Sequence, residues 1–91
     1  MRRGEGQAGT VAERSQEEDR AALAAVYSRA DLRLSELWLA YFALGGNAGQ
    51  YEVEAYLTGM TELGDHEHNV LAHALNEELD DRGSAERAPY R

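Results

Sequence analysis

The chain has 91 residues, no cysteine, and 17 acidic against nine basic residues, for a formal charge of −8. That length makes one domain, which buries only about 60–65% of the surface its unfolded form exposes. Without cysteine there is no disulfide scaffold, no thiol nucleophile and no thiolate metal site.

The charge is uneven. Residues 1–44 carry six arginines against seven acids, whereas residues 45–83 carry nine acids against Arg82 alone. That second half repels phosphate backbones and anionic lipid, so neither a nucleic acid nor a membrane is expected as partner. The longest apolar run, residues 37–44, has eight residues, against the ~20 needed to span a bilayer. The opening residues have no apolar leader, and the expected location is cytoplasmic. All nine basic residues are arginine and alanine is abundant, a codon signature of a GC-rich genome.

Residues 1–14 are rich in glycine and almost free of large apolar side chains. They are expected to be disordered, because burial cannot offset the entropy of ordering them.

Residues 15–44 read as one long amphipathic helix. Ser15 and Glu18 form a capping box, and Glu17, Glu18 and Asp19 place negative charge where the helix dipole favours it. Leu23, Tyr27, Ala30, Leu34, Leu37, Tyr41 and Leu44 then recur at alternating spacings of four and three, a heptad seam. Gly45-Gly46 stops it. Thirty residues of helix span roughly 45 Å, more than two short helices can cover. A homodimer, or docking of another protein's helix, is therefore expected along the first half of the seam. Its contact residues are Leu23, Val26, Tyr27, Ala30 and Leu34, with Arg29 and Arg33 on the rim.

A second helix is expected over residues 48–58, with Asn47 as cap and Gly59 as stop. A third is expected over 65–82, capped by Asp65 and stopped at Gly83. His68, Leu71, Ala72, Leu75 and Leu79 fall on one face of it. Residues 84–91 contain the only proline and are expected to be a mobile tail. No strand pattern appears, so the fold class is all-α: one long helix and two shorter ones in a bundle completed by dimerisation. Trp38, Tyr41, Phe42, Leu57, Leu71 and Leu75 are expected to hold it together.

The stretches Leu37-Trp38-Leu39-Ala40-Tyr41-Phe42-Ala43-Leu44-Gly45-Gly46-Asn47, Glu52-Val53-Glu54-Ala55-Tyr56-Leu57 and Val70-Leu71-Ala72-His73-Ala74-Leu75-Asn76-Glu77 resemble small uncharacterised helical proteins of high-GC actinobacteria. The resemblance covers residues 32–83. It implies a single compact unit, and no activity carries over from it.

Catalytic signals are missing. His66 and His73 stand seven apart, with Glu62 four before the first and Glu77 four after the second. That spacing suits one helix face, but there is no HExxH-type motif and His66 and His68 point apart. Partly exposed histidines, without metal or other cofactor, are the expectation. Glu77, Glu78, Asp80 and Asp81 form an acidic face, read as solvated or as a contact for a basic partner rather than as an acid–base pair. The third helix opens Asp65-His66-Glu67, the wrong sign for the recognition helix of a helix-turn-helix DNA-binding regulator. The reading is not an enzyme but a small acidic interaction module, a regulator or adaptor acting through its long helix. The alternative is an antitoxin or anti-sigma-like factor that masks a basic protein surface.

Overall fold

The computed structural model describes residues 15–91, so the expectation for residues 1–14 lies outside the described residues. Among these the chain is all-helical: α1 (Gln16–Arg29), α2 (Leu34–Ala43), α3 (Gln50–Leu57) and α4 (Asp65–Asp81). Local rules set most of the ends. Ser15 Oγ accepts from the Glu18 N–H at 3.0 Å while the Ser15 N–H donates to Glu18 Oε1 at 3.0 Å, the reciprocal box that starts α1. Helices α2, α3 and α4 stop at Gly45, Gly59 and Gly83, each at positive φ. The next residue's N–H reaches back to Tyr41, Ala55 and Leu79 respectively, a Schellman closure every time.

The long helix is broken. α1 ends at Arg29, Asp31 sits at φ 55°, and α2 restarts at Leu34. Aspartate is one of the few residues that enters the left-handed region at low cost. The Arg33 N–H is taken up by Glu36 Oε1 at 3.1 Å, which gives the second helix its own start. The break turns Leu32, off the seam in a continuous helix, into the core. A 45 Å helix would need a partner for half of its seam; folded in two, the chain supplies its own. α1 packs on α3 and α4, and α2 on α3 and α4.

The core gathers Leu23 and Val26 from α1, Leu37 and Tyr41 from α2, Val53 and Tyr56 from α3, and Leu71, Ala72, Ala74, Leu75 and Leu79 from α4. Trp38 and Leu57 pack against it half-buried. Phe42 does not belong to it and is 58% exposed. α3 starts two residues later than expected, with Gly49 rather than Asn47 at its cap. No helix of the described residues is long and apolar enough to cross a membrane.

Residues 84–91 form no helix, yet they are anchored rather than mobile. Ala88 is buried, and the Arg91 side chain is only 4% exposed. The segment is held by hydrogen bonds between α4 side chains and its backbone. Sequence reading missed it because one alanine is all the apolar burial it has.

Candidate functional site

The seam assigned to a partner is partly used up inside the molecule. Leu23 and Val26 are core residues, and Tyr27, Ala30 and Leu34 are half-buried against that core. Only Arg29 and Arg33 are exposed, and Arg29 is engaged with Glu86 at 2.6 Å. Leu23, fully buried, cannot meet another chain without unfolding.

Apolar surface is open elsewhere. Leu39 and Phe42, three residues apart on the outer side of α2, are 59% and 58% exposed. Phe42 stacks on Trp38 with ring centroids 5.2 Å apart, and the Trp38 indole N–H donates to the Ala48 carbonyl at 3.0 Å. That hydrogen bond fixes the indole against which Phe42 stacks. Tyr51 on α3 and Met60, just past its Gly59 stop, are 84% and 82% exposed. With Glu54, Ala55 and Thr58 they line an open groove, since residues 51, 55 and 58 fall on one helical face.

The loop between these helices is clamped to the start of α4. Tyr41 donates to Glu67, whose Oε1 also accepts from the Asn47 N–H at 3.0 Å, and the Ala48 N–H donates to the Tyr41 hydroxyl at 2.8 Å. Asn47 therefore serves Glu67 rather than capping a helix. Those donors hold the Glu67 carboxyl below the usual range, with the Asn47 N–H the largest influence. Burial, with Glu67 beside it, pushes the Tyr41 phenol up to about 12.

The histidines do not converge. His66 is exposed and lies 3.9 Å from Glu67, and His73 is exposed and lies 3.2 Å from Glu77. Against the expectation of partial exposure, His68 is fully buried. Its Nε2 faces the Pro89 carbonyl at 2.9 Å, so that nitrogen carries the proton, and Nδ1 accepts from the Tyr56 hydroxyl at 2.5 Å. Burial pushes the imidazole below its ordinary value of 6.5. Among the described residues no group of three or more His, Asp or Glu is placed to hold a metal ion. On the acidic face Glu77, Asp80 and Asp81 are exposed and Glu78 half-buried, but Asp80 is paired with Arg87. What this side of the molecule presents is exposed apolar side chains with the Glu54 carboxylate beside them.

No family model matches this chain, and no curated protein or solved structure is similar to it.

Proposed function

We propose that this chain is a small acidic protein–protein interaction module, acting as a regulator or adaptor, whose contact surface is the exposed apolar side of α2 and α3. One observation carries the reading: Leu39, Phe42, Tyr51 and Met60 stand 58–84% exposed in a molecule that buries smaller side chains completely. Exposed clusters of large apolar side chains mark contact surfaces, and aromatic and methionine side chains are the types that interfaces favour. The partner proposed is a second copy, because an isologous pairing covers the apolar face of both chains at once.

Light scattering on a size-exclusion column, across a hundredfold dilution, tests it. The expected mass at high concentration is twice 10.1 kDa. Phe42→Asp should reduce it to the monomer while helicity by circular dichroism stays unchanged. A monomer mass for the unsubstituted chain at every concentration removes the self-association.

The masking of a basic protein, as by an antitoxin or anti-sigma-like factor, has its own support. Glu54 lies on the groove beside Tyr51 and Met60, in a chain of net charge −8. Such a complex would weaken steeply with salt, whereas apolar self-pairing would not.

A further inference from the structure

Residues 88–91 run back along α4 and are read there by a ladder of side chains. The Ala88 N–H donates to Asn76 Oδ1 at 2.7 Å, and Asn76 Nδ2 returns a hydrogen bond to the Ala88 carbonyl at 3.1 Å. Asn69 treats Arg91 in the same way, at 2.7 Å from its N–H and 3.3 Å to its carbonyl. Between them stands the contact of His68 with the Pro89 carbonyl. Asn69 and Asn76 are seven residues apart, ~10.5 Å along a helix. Three residues of extended chain cover ~10 Å. The two spacings match, so the ladder fits a peptide in extended form.

Backbone contacts of this kind accept many sequences, and selectivity comes from the ends. Ala88 is 2% exposed, which leaves room for a methyl group and little more. Pro89 brings no N–H that would need a partner. Tyr90 is half exposed. The Arg91 guanidinium donates to the carbonyls of Leu63 and Gln16, both at 2.9 Å, and lies 3.7 Å from Asp19 and 3.5 Å from Asp65. Lysine cannot reproduce that fork.

We propose that this groove on α4 and α1 is a recognition site for extended Ala-Pro-X-Arg segments of partner proteins, occupied in cis by residues 88–91. Apart from the Arg91 anchor, one buried alanine and a ladder of hydrogen bonds hold the segment, an attachment that opens locally before the core does. A partner segment of the same pattern can then take its place.

The test uses the full chain carrying Arg91→Ala, because a tethered occupant competes at an effective concentration of about millimolar. The probe is the amidated peptide Ser-Ala-Glu-Arg-Ala-Pro-Tyr-Arg. Titration should move the side-chain amide resonances of Asn69 and Asn76 saturably toward their positions in the unsubstituted chain. A peptide with alanine in place of its last arginine should bind at least tenfold more weakly. A folded variant that gives no saturable shift, or binds both peptides equally, overturns the proposal. Should Arg91→Ala fail to fold, hydrogen exchange in the unsubstituted chain decides. The Ala88 and Arg91 amides should exchange at least tenfold faster than those of Leu71 and Leu75. Exchange at the core rate would make the segment an inseparable part of the fold and rule the site out.

Discussion

Two regions of this molecule reverse the usual distribution of side chains. On α2 and α3 large apolar groups face water, with Tyr51 at 84% and Leu39 at 59% exposed. On α4, under residues 88–91, polar groups are sealed away: His68 at 0% and Asn76 at 7%. A single exposed leucine needs no explanation, but several large apolar side chains left in water and a row of buried polar side chains both do. The sealed side accounts for itself, because the groups of Asn76, Asn69 and His68 meet partners in the strap. The open side has no such account within the monomer. One region is filled from within the chain, and the other is left open to water.

The largest expected effect comes from breaking the sealed side. Asn76→Ala leaves the N–H and carbonyl of Ala88 without their partners in a buried place, at a cost of about 2–3 kcal/mol. For a domain of this size that lowers Tm by roughly 10–20 °C, which calorimetry reads directly. A shift of only a degree or two would show that the strap contributes little to the fold.

A smaller effect is expected from acid. His68 has its folded pKa below the free value of 6.5, through burial first, with the Arg91 charge in the same direction and Asp19, Asp65 and the Pro89 carbonyl opposing. The unfolded chain therefore takes up the proton first. The neutral imidazole's contribution is intact above about pH 6.5 and is lost as pH falls from there toward the folded value. Thermal melts should be level from pH 8 to 7 and decline between pH 6.5 and 5, and His68→Gln should flatten that decline. Glu67, whose folded value lies below 4.5, acts in a lower window: its contribution is present above that value and disappears as pH falls through the lowered one. An unchanged slope in the His68 variant would remove the imidazole as the cause.

The signals that were legible in the sequence are short-range ones. The Ser15 box, the stops at Gly45, Gly59 and Gly83, and the α4 stripe through Leu71, Leu75 and Leu79 each depend on residues within a turn or two. The break at residues 30–33 was not legible, because Asp31 is its only marker and the heptad spacing is satisfied equally by two helices meeting at an angle. Nor was the side on which a stripe is covered: Phe42 and Tyr41 are neighbours on one helix, and only tertiary packing buries one and exposes the other. Hydropathy could not find the strap either, since side-chain to backbone hydrogen bonds hold it. Two hints were there all the same. His68 lies on the apolar stripe of α4, and Asn69 and Asn76 share a face at a spacing of seven.

The smallest effect on stability separates the two regions most cleanly. Leu39→Gln exchanges one good helix former for another at a position 59% exposed. A surface change of this kind alters folding free energy by no more than about 0.5 kcal/mol, so Tm should move by roughly 2–4 °C at most. If α2 forms the centre of a self-paired surface, the same substitution removes a buried contact from the dimer. The dimer dissociation constant should then rise at least tenfold, equivalent to about 1.4 kcal/mol. Sedimentation equilibrium and calorimetry on the same sample measure both quantities. A large change in association with almost none in folding is what an open contact face requires. Equal small changes in both would mean that Leu39 merely faces solvent, and the search for the contact would move to Tyr51 and Met60.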